Sequence, residues 1–260
     1  MYATMGLLAA MGLGCKLASS NIKESGHTVI QLQEHNGGEN AILLHYGANF
    51  HFTKELIRDI LIDAKTGDYL LLQCETNLID YAMGYAKEMG MTVVFNTAPY
   101  PPHVGNEWKR QFPSDWIIAN RSEAEYILQH VCKADPRDIG TEASMQEILS
   151  ATGTKNLIVT LGSAGCRALL KDGLDSHYFD VPAFTVTPVD TTGAGDVFIG
   201  YFLTTLIAKP GQFEEALLMG NAAAALACTR KGALCSTPTP EQVCSFRSKT
   251  DCSNVDHSKH

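Results

Sequence analysis

The stretch Val189-Asp190-Thr191-Thr192-Gly193-Ala194-Gly195-Asp196-Val197-Phe198 carries the clearest chemistry in the chain. Gly193, Ala194 and Gly195 stand immediately before a long helical pattern, so their backbone N–H groups can close on an anion without side-chain obstruction. The helix N-terminus adds partial positive charge, which favours negative charge developing on a phosphoryl group. Asp196 lies at the head of that helix, where a carboxylate can accept the proton of an attacking hydroxyl. A plain Gly-rich turn followed by a helix-starting acid would explain one Asp and one Gly of this run, not all of it. Glu75 follows the apolar run Tyr69–Gln73 and reads either as a substrate contact or as an exposed loop carboxylate. Asn120 reads as a helix cap and Glu123 as a first-turn acid. Gly162 and Gly165 read as a turn, because a strand pattern resumes at Ala168–Leu170.

Other phosphate-binding and metal signals are missing. There is no G-x-x-x-x-G-K-[ST] run, and Gly12-Leu13-Gly14 lacks the third glycine of a dinucleotide fingerprint. The eight cysteines (Cys15, Cys74, Cys132, Cys166, Cys228, Cys235, Cys244 and Cys252) form no C-x-x-C pair and have no histidine at zinc-finger spacing. Cys74 and Cys166 sit in apolar runs, where a reduced thiol behaves as a small hydrophobe. His27, His35, His45 and His51 cluster around one hairpin and read as surface residues.

The elements that must position these groups follow from periodicity. Thr28–Leu32 and Ala41–Tyr46 flank Asn36-Gly37-Gly38 and read as a hairpin. Helical patterns are expected from Thr53 to about Ala64, over Asn77–Met89, after Ser122 with Glu125 as a capping box, up to Gly153, and over Asp196–Ala208 and Phe213–Cys228. Between them the runs Tyr69–Gln73, Thr92–Phe95, Trp116–Ala119 and Leu157–Leu161 are almost wholly apolar. Such alternation predicts a parallel sheet covered on both faces, with ligands outside the carboxyl ends of the strands. A short helix from Pro240, capped by Thr239 and Gln242, is followed by SKTDCSNVDHSKH, read as a loose tail.

Composition agrees with one core-forming domain: 260 residues, 45% hydrophobic and 18% charged, with a net charge of −8. That balance argues against a nucleic-acid binder. No apolar run reaches the ~18 residues of a membrane span. The opening MYATMGLLAAMGLG has no leading basic residue, and Lys16 follows it, so it does not read as a signal peptide. Met5–Ala18 reads as a helix.

The run Asp190–Asp196 resembles the C-terminal signature of the ribokinase-type carbohydrate kinases. The resemblance extends from about Gly26 to Ser236. Gly38-Glu39-Asn40-Ala41-Ile42 with Gly47-Ala48-Asn49 is similar to the family's G-E-N-x-I…G-A-N, and Leu72-Gln73-Cys74-Glu75 to its L-Q-x-E. Asn96-Thr97-Ala98-Pro99 is similar to N-P-A-P, and Asn120-Arg121-Ser122-Glu123 to N-x-x-E. Thr160-Leu161-Gly162-Ser163-Ala164-Gly165 is similar to the T-L-G-x-x-G nucleotide loop, and Ala227–Ala233 with Ser236 to the monovalent-cation segment.

This resemblance implies a ribokinase-like α/β fold, with a mostly parallel central sheet, helices on both faces and a partial β lid at about residues 27–47. The domain would span residues 1–238, with a short helix and polar tail at 239–260. The implied activity is transfer of the γ-phosphoryl group of ATP to O5 of D-ribose. Asp196 would be the base, with Gly193, Ala194 and Gly195 as the anion hole. Glu75 and Asp196 would bind the sugar. Asn120, Thr160, Leu161, Gly162, Ser163, Ala164, Gly165, Gly195 and Asn221 would bind the nucleotide. Glu123 would organise Mg²⁺ and its waters, which suits a carboxylate. Asp190, Thr192, Ala227, Arg230, Gly232 and Ser236 would hold an activating K⁺.

The implied partners are ATP and a small sugar, with no nucleic acid or membrane, and a homodimer through the lid. The implied setting is cytoplasmic, with a nuclear one also open. Two alternatives stand beside this reading: a sibling kinase for another sugar or a nucleoside, and a catalytically weak nucleotide-binding form. The second arises because the family's opening strand with its sugar-binding Asp, and its Gly-Gly-x-x-x-Asn segment, have no counterpart here. Gly37-Gly38 lies in a different hairpin.

Overall fold

A computed structural model describes residues 24–32, 40–100, 112–135, 139–172 and 175–255. The opening apolar stretch, the Asn36–Gly38 turn and residues 256–260 lie outside them. Strands β3 (Tyr69–Leu72), β4 (Thr92–Asn96), β5 (Trp116–Asn120) and β6 (Asn156–Thr160) pair in parallel, in chain order. Strands β7 (Cys166–Asp172) and β8 (Asp175–Val181) continue the same sheet antiparallel.

The near-continuous apolar strands are explained by burial on both faces. Val93, Phe95, Ile117, Ala119, Leu157 and Val159 face one core. It is covered by helices α1 (Lys54–Leu61), α2 (Ile79–Glu88), α3 (Arg121–Ile127) and α4 (Glu142–Thr152). The alternate residues Val94, Trp116, Ile118 and Ile158 face the other core, against Phe198, Phe202 and Leu206 of α5 (Ala194–Ala208) and Leu217 of α6 (Phe213–Cys228). The expected doubly covered, mostly parallel sheet is what the chain forms. Among the described residues no helix is long and apolar enough to cross a membrane.

Four local expectations are corrected. The reversal into β7 continues through β8, which the sequence reading did not anticipate, because DSHYFDV is a largely exposed edge strand with a weak apolar signal. The cap of α3 is Asn120 with Glu123 in a capping box, not Ser122 with Glu125. Strand β5 ends on Asn120 in extended geometry, so the chain enters the helix two residues early, and Ser122 instead donates to Asn120 Oδ1 at 2.9 Å. Helix α1 is shorter than its apolar pattern, running from a Thr53 cap to Leu61. The last helix, α7 (Pro240–Val255), continues into the segment read as a loose tail as far as Val255. It starts with the expected pair, Gln242 N–H on Thr239 Oγ1 and Thr239 N–H on Gln242 Oε1. Fully buried Val243 and a two-pronged Arg247–Glu215 ion pair dock it on α6.

The hairpin predicted before α1 forms as β1 (His27–Leu32) and β2 (Asn40–His45), antiparallel, with Val29 opposite Leu43 and Thr28 opposite Leu44. Apolar residues occupy both of its faces and stay exposed: Val29 52%, Ile30 41%, Leu43 66%. The His27 and His45 rings meet at its base, tilted by 37° with 4.7 Å between centroids.

Candidate active site

The parallel strands deliver their functional residues to one edge of the sheet. Cys74 and Glu75 follow β3, Thr97 follows β4, Asn120 ends β5 and Thr160 ends β6. The Gly193–Gly195 turn, expected to bind an anion, follows β8 in the chain. Gly193 caps α5 with φ +77, a left-handed geometry that favours glycine, and an added Cβ there would meet the Ala233 Cβ at 3.2 Å. The Ala194 amide reaches Thr191 O at 3.2 Å, so that N–H is partly turned into the protein. Gly195 and Asp196 are exposed.

Two cavities meet at this turn. One, of about 400 Å³, is lined by Asn49, Gln73, Glu75 and Asp196. The other, of about 610 Å³, is lined by Thr160, Gly162, Ser163, Gly165, Gly195 and Asn221. Adjacent residues of one chain, Gly195 and Asp196, therefore face different cavities. Burial, and then the charge of Asp196, raises the Glu75 carboxyl above its ordinary value, so these two acids feel one another. Gln73 Nε2 donates to Asp196 Oδ1 at 2.7 Å across 123 residues of sequence. Sequence reasoning quoted Gln73 and Asn49 within motifs but gave neither a role. No local signal reports a contact of that range.

The second cavity is shaped by the β6–β7 reversal. Leu161 N–H donates to Gly165 O at 2.7 Å, and Gly165 has φ +90. A Cβ at Gly165 would lie 2.1 Å from Val181 O, so glycine alone fits. Leu161 itself packs into the core, and Ala164 is exposed and off the cavity wall. Asn221 is buried, and its amide nitrogen donates to Val181 O and Pro182 O, both at 3.1 Å. It thus fixes the chain leaving β8 as well as lining the cavity. The Cys166 thiol behind it is pushed up to about 12 by burial.

Beside the turn, Asp190 is 4% exposed and accepts Thr192 N–H at 2.9 Å and Gly232 N–H at 2.8 Å. The Gly232 amide first, then Thr192, hold its carboxyl below the ordinary value. Val189 and Asp190 N–H both donate to Cys228 O. These bonds bring Asp190 and Thr192 against the segment from Ala227 to Ser236. Ser236 is buried with its hydroxyl on Ala233 O at 2.8 Å, and the Ala227 carbonyl accepts Arg230 N–H at 3.1 Å. Asp190 is thus held against Cys228 and Gly232, and the hard carboxylate, carbonyl and hydroxyl oxygens of these two segments are of the kind a monovalent cation takes. The Arg230 guanidinium lies away from them, on Gln242 at 3.3 Å.

Glu123 is also buried, at 8% exposure. Its Oε2 accepts Asn120 N–H at 2.9 Å and Thr97 Oγ1–H at 3.0 Å, and its Oε1 accepts Asn120 Nδ2–H at 2.7 Å. Burial raises the Glu123 carboxyl, with the bonds from Asn120 and Thr97 opposing it. Asn120 spends its side chain on this box, and neither residue lines the two cavities. Among the described residues no cluster of three or more ligating side chains forms. A single carboxylate suits a small hard cation that arrives on a nucleotide, since Mg²⁺ takes few protein ligands and keeps waters.

Comparison with known proteins accounts for this arrangement. The pattern of the pfkB family carbohydrate kinases matches residues 12–240. The chain is 35% identical over 224 residues to ribokinase of Haemophilus influenzae, covering 85% of this chain and 69% of that protein. The crystal structure of ribokinase from Thermotoga maritima superposes with a TM-score of 0.78 at 30% identity, covering 95% of this chain and 77% of that one. Arabidopsis thaliana ribokinase, solved in complex with ribose and ATP, superposes with a TM-score of 0.66 at 26% identity, covering 87% and 70%. The chain, with its doubly covered sheet and its DTTGAGD turn at the head of α5, belongs to the pfkB family of carbohydrate kinases.

Proposed function

We propose that the chain transfers the γ-phosphoryl group of ATP to O5 of D-ribose. The observation that carries this is the pair of cavities meeting at Gly195 and Asp196, the first at a helix N-terminus, the second a carboxylate. Ribose sits in the cavity with Glu75 and Asp196, and the nucleotide in the cavity walled by the Thr160–Gly165 turn. Asp196 accepts the proton of the 5-hydroxyl as its oxygen bonds the γ-phosphorus. The bond from that phosphorus to the β-phosphate oxygen breaks, and ADP leaves. Backbone N–H groups of Gly193–Gly195 and the α5 dipole stabilise charge on the transferring group. Glu123 would hold Mg²⁺ through its waters, and this ion neutralises nucleotide phosphate charge. Asp190, the Thr192, Ala227, Arg230 and Gly232 carbonyls and the Ser236 hydroxyl would hold K⁺, whose charge steadies the anion hole. The apolar faces of the β1–β2 hairpin support a homodimer through the lid. Cys74, Cys132, Cys166, Cys228, Cys235 and Cys244 are free thiols, which suits a cytoplasmic setting.

Release of ADP measured on a panel of D-ribose, 2-deoxyribose, fructose and adenosine tests the substrate. Fastest turnover on ribose, lowered severalfold when Li⁺ replaces K⁺, is expected. Preference for another member of the panel would assign a sibling activity.

One observation favours a second reading, a form that binds nucleotide better than it transfers phosphate. Among the described residues β3 pairs on one side only, and Leu71, in the wall of the sugar-side cavity, is 43% exposed. Phosphoryl transfer needs the hydroxyl held close to attack geometry away from bulk water. Calorimetric titration should therefore show tighter binding of ATP than of ribose. Equal occupancy of both sites at equal concentration would remove this reading.

A further inference from the structure

A buried hydroxyl links the end of β4 to the start of α3. Thr97 has no exposed surface, and its amide donates to Ile118 O of β5 at 3.1 Å, so its backbone is fixed to the sheet. Its Oγ1–H donates to Glu123 Oε2 at 3.0 Å. The other two hydrogen bonds on that carboxylate come from Asn120 N–H and Nδ2–H, the helix cap that ends β5. Thr97 instead follows β4. The hydroxyl therefore ties one carboxylate oxygen to a second strand end. Thr97 stands where the motif that this segment resembles, N-P-A-P, carries a proline, which has no hydroxyl to donate.

We infer that Thr97 is a positioning residue for Glu123: it sets the orientation of the carboxylate and, through it, how strongly Mg²⁺ enhances nucleotide binding. This rests on the magnesium role proposed for Glu123. A hydrogen bond to a charged acceptor is among the stronger ones, and its loss leaves the carboxylate held by the Asn120 cap alone.

The test is calorimetric titration of ATP in Mg²⁺ and in chelator, on the parent, Thr97→Val, Thr97→Ala, Thr97→Ser and Glu123→Gln. Turnover is not needed. Without metal, ATP affinity should be the same in all the Thr97 variants and the parent. The enhancement by Mg²⁺ should fall roughly tenfold in Thr97→Val and Thr97→Ala, return in Thr97→Ser, and be lost in Glu123→Gln. Parental enhancement in the Val and Ala variants, with loss in Glu123→Gln, would overturn the role of Thr97 and leave that of Glu123 standing. Parental enhancement in Glu123→Gln would overturn the magnesium role itself, and the inference with it. Loss of metal-free affinity alongside would assign Thr97 a purely structural role.

Discussion

The proposed nucleotide side and the proposed sugar side of this molecule are built differently. Around β6, β7, β8, α5 and α6, buried polar groups are tied down: Asp190 by two amides, Asn221 on two carbonyls, Ser236 on Ala233 O. Around β3 and the β1–β2 hairpin, apolar side chains face water instead, with Leu71 and Leu43 at 43% and 66% exposure. All the parts of the first region come from residues 156–236, whose turns and helices hold one another. The second region presents apolar surface that nothing among the described residues covers, so its geometry depends on what comes to it. On the proposed assignment, the phosphate donor would meet a prebuilt pocket and the acceptor a looser side.

The largest effect expected is at the junction. Asp196→Asn removes the proton acceptor and should lower turnover by ~10²–10⁴, about 3–5 kcal/mol of barrier, with ATP affinity kept. A variant as fast as the parent would take Asp196 out of that role and break the division into two sides. Next comes the prebuilt side. Gly165→Ala forces a left-handed alanine against Val181 O and should cost about 2–5 kcal/mol in urea unfolding, with loss of ATP binding. If stability fell and ATP binding survived, the turn would be scaffold only.

Asp190→Asn sharpens the comparison through pH. The native carboxyl titrates below its ordinary value of 3.8, so its stabilisation is present above that value and is lost as pH falls through the lowered native one. The parent should therefore lose more stability than the variant on acidification below about pH 4, by about 1–3 kcal/mol, as read from urea midpoints. Parallel acid profiles would show that Asp190 contributes nothing there. The smallest effect belongs to the open side. Leu43→Lys should change stability by no more than about 0.5 kcal/mol. It should nevertheless shift sedimentation toward monomer, since it places a charge in the proposed lid contact. A large drop in stability would mean that the hairpin is packed after all.

This division also explains what could be read from the sequence. The DTTGAGD turn, the four parallel strands and both long closing helices were legible because each is a contiguous pattern: small residues before a helix, apolar runs, period-3.6 stripes. Strand β8 was not, because Asp175, Ser176 and His177 are exposed polar residues whose strand state comes from pairing with β7. The sequence offers two caps for α3, Asn120 and Ser122, with the same chemistry two residues apart, and the end of β5 decides for Asn120 over the Ser122–Glu125 box. Helix α7 outran its sequence signal because its docking on Glu215 and Phe184 is tertiary. Within the site, the residues of the turn were found, whereas the Gln73–Asp196 and Thr97–Glu123 bonds were not. They join strand ends that only the sheet brings together.

The adjacency of Gly195 and Asp196 has a mechanical consequence. Successive Cα atoms across a trans peptide are held about 3.8 Å apart, and both residues lie in the first turn of a helix anchored by buried Val197, Phe198, Ile199 and Phe202. Any drift of that helix, whether a slide along its axis or a tilt, displaces the phosphate seat and the carboxylate as one body. Thermal breathing therefore leaves their mutual spacing untouched. What fluctuates is only how far the arriving hydroxyl stands from this rigid pair, so the temperature dependence of turnover should follow the motion of the acceptor side.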